Sequence, residues 1–255
     1  MLRMRIDPGA NHGVGVAFTD RHGGVSTGSL GSFNLGRTDV DEPDAVRTNV
    51  SRLASALGVD AVVVCHQVHG DRVWQVTAED LEHWGPDSVL GDDLAGGRPL
   101  EQADAMVTTC HGVALAIRVA DCMPVALADP RTGVIAMAHA GRTGFLAGVL
   151  ERTVEAMRAL GATDILGWIG PHICGRCYEV PEEMAEQAAE AAPATAVRTR
   201  WGTPGIDLGA GAMAQLESLG VEAVGLDPCT YEHEEFFSHR RDPGAGRLVG
   251  AVWMP

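Results

Sequence analysis

Between residues 113 and 140 the chain runs through three apolar segments, VALAIRV (113–119), PVALAD (124–129) and GVIAMA (133–138), separated only by short turns. A strand wetted on one face alternates apolar and polar residues. These runs are apolar on both faces, so they belong to sheets covered on both sides. Pro130, Arg131, Thr132 and Gly133 join the last two runs as a hairpin, which makes the pairing antiparallel or mixed. The expected fold is α+β (α/β layered): one domain over 1–255, with mixed, largely antiparallel sheets flanked by helices.

Further strands are expected at 61–65, 72–76, 104–109, 164–169 and 248–253. Helix 43–57 has Pro43 in its first turn and Val46, Val50, Leu53 and Leu57 on one face. Helices are also expected at 144–160, stopped by Gly161, at 181–191 after Pro181, and at 207–219 between Asp207 and Gly220. The stretch 84–103 is the longest Gly/Pro/Asp-rich segment and reads as a loop able to act as a lid.

Charge and cysteine usage narrow the partners. With 19 basic and 34 acidic residues the net charge is −15, which disfavours nucleic-acid polymers and anionic membranes. No apolar run approaches the roughly 20 residues of a membrane helix. The start, MLRMRIDPGANHGV, meets Asp7, Pro8 and Gly9 before any apolar core and does not read as a secretory signal. Six Cys in 255 residues do not make a disulfide scaffold, so a cytoplasmic setting with free thiols is expected.

Three apolar strands end at residues with ligand or nucleophile chemistry. The first leads to His66 and His69, the second to Asp121 and Cys122, and the third to His139. Side chains at strand ends are held rigidly yet face a cleft. A Cys with two His can bind zinc and leave its fourth position open, or Cys122 can act as a nucleophile with His139 as base. Spacing alone does not separate these readings. Neighbouring side chains on a strand face opposite sides, so a structural role for Asp121 weighs as much as a catalytic one. By the same reasoning His66 reads as structural or as support for His69.

Cys174 and Cys177 form one C-x-x-C, which reads more readily as a loop feature than as a site, while Cys65, Cys110 and Cys229 read as packed thiols. Arg240, Arg241 and Arg247 with Asp242 read as a salt-bridge cluster. Asn34 fits a polar site residue or a turn.

The strings FTDRHGGVS (18–26), SFNLG (32–36), QVHG (67–70), ADAMVT (103–108), VADCMPV (119–125), AHAG (138–141), IGPHICGRCYEV (169–180), DPCT (227–230) and FFSHRRD (236–242) follow in order. Together they resemble the laccase-domain family, also called the multicopper polyphenol oxidase or peptidoglycan-editing-factor family. The resemblance covers almost the whole chain. It implies a zinc ion held by His69, Cys122 and His139, with Cu²⁺ as an alternative or adventitious metal, and Arg21 at the site on substrate or phosphate.

Activities implied by the resemblance are purine nucleoside phosphorylase, acting on adenosine, inosine, guanosine and methylthioadenosine, and adenosine deaminase. Removal of a misincorporated amino acid from peptidoglycan precursors by a Cys–His amidase, and copper-dependent phenol oxidation, are the alternatives. The expected partners are a nucleoside and phosphate, with the chain a monomer or weak homodimer. Two departures from the family pattern bear on substrate choice. Arg142-Thr143-Gly144 follows HAG where Trp-Arg-Gly is usual, and His239 replaces the aromatic residue of SYRRD. A single His-His-Cys set offers far fewer His ligands than a multicopper oxidase needs.

Overall fold

The apolar runs form strands, and each is apolar on both faces because each sheet is packed on both sides. The computed structural model describes residues 1–255 except 37, 86–87, 91–98 and 227. Half of the stretch 84–103 expected as a lid, residues 86–87 and 91–98, lies outside the described residues.

In chain order the strands are β1 (Leu2–Ile6), β2 (Gly15–Thr19), β3 (Ala61–Val63), β4 (Val73–Gln75), β5 (Ala105–Thr108), β6 (Val113–Val119) and β7 (Met123–Asp129). They continue with β8 (Val134–Ala140), β9 (Leu166–Ile169), β10 (Ala196–Arg198), β11 (Pro204–Ile206), β12 (Glu222–Gly225) and β13 (Leu248–Trp253). The helices are α1 (Pro43–Leu57), α2 (Ala78–Glu82), α3 (Arg142–Leu146), α4 (Val149–Ala159), α5 (Glu182–Ala191) and α6 (Leu208–Ser218).

Two mixed sheets dominate. One has the order β1-β2-β13-β6-β3, the other β12-β9-β7-β8-β5-β4, while β10 and β11 pair separately. Only β3–β6, β4–β5 and β12–β9 are parallel among the described pairings. Side-chain alternation assigns each strand to two cores. On β6, Leu115 and Ile117 face the other sheet, where Ala126, Ala128, Ile135 and Met137 meet them. Ala114 and Ala116 face outward onto Val46, Leu53 and Leu57 of α1. On the second sheet, Val125 and Leu127 face outward onto Val154 and Met157 of α4 and Leu216 of α6. The result is a helix–sheet–sheet–helix stack in which β7 and β8 are buried along their whole length.

Helix α1 spans the expected residues, opened by Pro43 and stopped by Gly58 in the left-handed conformation, φ 75°. The single helix expected over 144–160 is instead two helices. Its periodicity was continuous, but Gly148 at φ 93° breaks the backbone between α3 and α4. Among the described residues no helix is long and apolar enough to cross a membrane.

One buried carboxylate holds two turns together. At the end of β7, Asp129 Oδ1 accepts from the amides of Arg131 (2.9 Å) and Thr132 (3.4 Å), and Oδ2 from those of Thr163 (2.7 Å) and Asp164 (3.1 Å). Burial alone would raise its pKa, but the Thr163, Asp164 and Arg131 amides overcome this and hold it below the usual carboxylate range. A depressed folded-state pKa means the stabilisation is full above the ordinary carboxylate range and is lost as pH falls through the depressed value. Asp129→Ala should therefore cost about 2–4 kcal/mol at neutral pH. The gap from wild type should narrow below about pH 4. Urea unfolding at neutral and acid pH measures both; a gap of equal size in acid would contradict the assignment.

Candidate metal centre

Neighbouring strand ends converge at one edge of the six-stranded sheet. Cys122 immediately precedes β7, and His139 lies near the end of β8, paired with Pro124 across the ladder. Asp104 immediately precedes β5, whose Ala105 pairs with Ala138 of β8. His69 arrives on the loop between β3 and β4, and β4 runs parallel beside β5.

The ligand atoms of His69, Cys122 and His139 all lie within 4.8 Å of one another. Cys122 Sγ is 3.9 Å from His69 Nε2. The two imidazoles meet edge to face with centroids 4.8 Å apart. Nδ1 of His139 is bonded to Asp104 Oδ1 at 2.8 Å, which turns Nε2 toward Cys122 and His69.

Asp104 does more than orient one ring. Its carboxylate also accepts from the amides of Val68 (3.1 Å), His69 (2.9 Å) and Gly70 (2.7 Å). Those bonds hold His69 at φ 61°, a left-handed backbone that a side-chain-bearing residue adopts only at a cost of about 1–3 kcal/mol. One buried carboxylate thus fixes two of the three ligands.

Electrostatics favour a cation among these groups. Burial works against a charged Cys122, but hydrogen bonds from His139 and His69 overcome it and bring the thiol down to about 6. Burial likewise opposes a charged His139, yet Asp104 and the Cys122 sulfur raise it to about 9. For Asp104, burial is again outweighed, by His139 and the Gly70 amide, and its pKa falls. A metal among these atoms would take the place of the His139 proton.

The donor set fits zinc: one thiolate and two imidazoles, supported by a carboxylate behind one of them, with three ligands leaving room for substrate. Gly141 shows how closely the centre is drawn. A Cβ there would lie 3.0 Å from Cys122 Sγ and 3.1 Å from His69 Cδ2. The Gly141 backbone, φ −71°, is open to alanine, so Gly141→Ala tests crowding alone. Zinc affinity should fall about tenfold or more, with the unfolding midpoint nearly unchanged. Competition with a chromophoric chelator reads the first and thermal unfolding the second; unchanged affinity would mean the three ligands do not act together.

The centre opens into a cleft of about 770 Å³ whose walls include His66, Arg118, His239 and Arg247. That volume is in the range of small-molecule sites. Arg118 donates to Cys65 O at 2.9 Å. Burial lowers the Arg118 pKa, the Cys65 sulfur opposes that, and the like charge of Arg247 lowers it further. Arg118 and Arg247 thus bring two guanidinium groups within mutual electrostatic influence into the cleft lining, the second donating to Ala245 O (2.8 Å) and Gly246 O (3.1 Å) and accompanied there by Asp39. Arg118 was visible in the sequence as the one charge inside VALAIRV, an overlooked signal.

Other residues singled out from the sequence lie elsewhere. Arg21 does not reach the cleft: its Nε donates to Gly31 O at 2.9 Å, its guanidinium lies 4.8 Å from the Phe237 ring centroid, and it lines a separate pocket beside Glu234 and Glu235. Asp121 points away from the ligands, accepting from Thr230 Oγ1 at 2.6 Å and the Arg240 amide at 2.7 Å. Buried Asn34 is a loop anchor, bonded to Asp41 and the Arg247 amide. His66 faces the cleft rather than the ligand cluster.

Arg240 and Arg241 bind loop carbonyls, those of Glu179 and of Thr230 and Tyr231, instead of forming the expected salt-bridge cluster. Arg142 and Arg240 flank Tyr178, whose pKa burial raises against their opposing charges. Asp104 was missed as a site residue although it begins the ADAMVT string. Cys229, expected as a packed thiol, lies beside Cys174, Cys177 and Glu232. Burial and the neighbouring sulfurs push the Cys177 thiol well up.

A family model described as multi-copper polyphenol oxidoreductase laccase matches residues 15–255. A protein of Streptomyces coelicolor named purine nucleoside phosphorylase is 47% identical over 248 residues, 95% of this chain and 96% of that one. Escherichia coli YfiH, also named purine nucleoside phosphorylase, is 36% identical over 247 residues, 95% and 94% of the two chains. The crystal structure of YlmD from Geobacillus stearothermophilus superposes with TM-score 0.85 at 32% identity, covering 99% of this chain and 96% of that one.

Proposed function

Because the chain belongs to the multi-copper polyphenol oxidoreductase laccase family, and similar proteins are named purine nucleoside phosphorylases, we propose that it is a zinc-dependent purine nucleoside phosphorylase with adenosine deaminase activity. The observation that carries this reading is one cleft containing a Cys-His-His ligand set, two guanidinium groups and two exposed imidazoles. It accommodates an anionic nucleophile and a leaving base together. The proposed substrates are adenosine, inosine, guanosine and methylthioadenosine.

In phosphorolysis the bond from the ribose anomeric carbon to the purine nitrogen breaks, and a bond from that carbon to a phosphate oxygen forms. The purine leaves with the electron pair and takes up a proton. Zinc bound by His69, Cys122 and His139 would supply a Lewis-acidic centre. Arg118 and Arg247 attract and orient phosphate, gathering reactants that would otherwise meet rarely. His66 or His239 delivers the proton to the departing base. Deamination uses the same cleft with water as nucleophile: adenosine and water give inosine and ammonia, and an imidazole again moves the proton.

Phenol oxidation has less support from the donors present. Among the described residues, the groups able to hold a metal contain only two His, His69 and His139, too few for a multicopper cluster. The reading is tested by incubating zinc-loaded protein with inosine or adenosine, with and without phosphate. Phosphate-dependent appearance of free purine and ribose 1-phosphate is expected. Purine release without phosphate, or none at all, would overturn it.

A further inference from the structure

The groups so far described leave one cluster without a task. Cys174, Cys177, Cys229 and Glu232 offer ligand atoms that all lie within 4.8 Å of one another, on two segments that hydrogen-bond to Asp121 through Ile173 and Thr230. We propose that these four residues form a second metal site, a structural zinc centre of three thiolates and one carboxylate. The proposal goes beyond the phosphorylase reading and does not depend on it.

The backbone prepares this site in two ways. Cys174 and Cys177 sit on a tight turn, with the amides of Cys177 (2.9 Å) and Tyr178 (3.0 Å) both donating to Cys174 O. That turn places two sulfurs on one side, the arrangement by which a C-x-x-C grips zinc. The segment bearing Cys229 is then fastened alongside by a parallel bridge between His172 and Cys229, and by the Thr230 amide donating to His172 O at 3.0 Å. The third sulfur is therefore fixed by the chain's own ladder. Zinc–sulfur bonds of about 2.3 Å in a tetrahedron set the sulfurs about 3.8 Å apart, a small contraction from the spacing here.

Polar groups around the sulfurs match thiolates. Cys229 Sγ accepts from the Cys174 amide at 3.3 Å and from the Glu232 amide. Cys174 lies within electrostatic influence of the Arg176 guanidinium and, before Glu232, raises its pKa. Three thiolates and a carboxylate around a divalent ion carry a net −2. Arg176 and Arg200, 3.4 and 3.1 Å from the Glu232 carboxylate, supply the two compensating charges. Three packed thiols of ordinary hydrophobic character would need neither amide donors nor guanidinium neighbours.

The consequence is mechanical. Zinc here would staple the 172–178 turn to the 229–232 segment, and both segments bear on Asp121: the Ile173 amide donates to its carbonyl and Thr230 Oγ1 to its carboxylate. Asp121, itself at φ 83°, precedes Cys122 directly. The second ion would thereby hold the backbone that presents a ligand to the first.

The test counts metal in protein purified under reductant with zinc. Wild type should hold about two zinc ions per chain, and Cys122→Ala/His139→Ala about one. Cys174→Ser/Cys229→Ser should also hold about one. Because the Ser variant could fail to fold, Co²⁺ is also titrated into Cys122→Ala/His139→Ala, where the second site is intact. One equivalent should bring up an intense thiolate-to-cobalt charge-transfer band and tetrahedral d–d bands. No zinc and no such band in that variant would overturn the proposal. So would an intact mass two hydrogens short, showing a disulfide among these cysteines in place of metal.

Discussion

Asp104→Asn should lower zinc affinity at the first centre about 10- to 100-fold. The substitution preserves shape and removes charge. An amide can still accept on one atom, but its NH₂ must face donors: the Val68 and Gly70 amides on one side, or the His69 amide and the His139 ring on the other. Whichever way it turns, a donor meets a donor, in a site where an unsatisfied group costs about 1–3 kcal/mol. One orientation costs the Val68 and Gly70 bonds that flank left-handed His69, and the other costs the His69 bond together with the partner that sets the His139 tautomer. Phosphorolysis at limiting zinc should fall in parallel and recover in part at high zinc. Chelator competition and turnover at two zinc concentrations read the effect. Wild-type affinity in Asp104→Asn would show that the carboxylate is only structural.

Cys122→Ala should abolish both tight zinc binding and phosphorolysis, the latter by about 10³-fold or more, as expected when several kcal/mol of charge stabilisation is withdrawn. The fold should survive, since Cys122 is only partly buried, packed at the margin of the inter-sheet core where that core meets Gly141 and the cleft. The same variant separates ligand from nucleophile when set beside wild type stripped of metal. If Cys122 acts as a ligand, stripped wild type and Cys122→Ala are equally inactive and zinc restores only the former. Activity in stripped wild type would instead favour a metal-free Cys122–His139 pair.

How much of this was legible in the sequence depends on which force set each element. β6, β7 and β8 announced themselves because both of their faces are buried, and α1 because Pro43 and Gly58 mark its ends. β12 did not, since Glu222, Val224 and Gly225 are exposed and its strand character comes only from pairing beside β9. β1 alternates half-buried and exposed residues, but its two arginines masked the pattern. The break at Gly148 is a local backbone event inside a continuous apolar stripe.

The site followed the same division. Cys122 and His139 could be placed because strand ends mount reactive groups, and the ordered motifs singled out His69 from His66. Asp104 could not, because its partners lie 34 to 36 residues before it and 35 after it, and only the sheet brings them together. Cys229 joins Cys174 across 55 residues for the same reason. Arg21 was assigned by resemblance alone; the structure places its guanidinium over the Phe237 ring and its Nε on the Gly31 carbonyl.

The most direct test of zinc-dependent phosphorolysis is a product balance on one preparation. Metal-stripped protein is given inosine and phosphate, then restored with zinc, while hypoxanthine and ribose 1-phosphate are quantified. The account predicts no turnover before zinc and equimolar formation of both products after it. Turnover that ignores zinc, or hypoxanthine accompanied by free ribose, would contradict it.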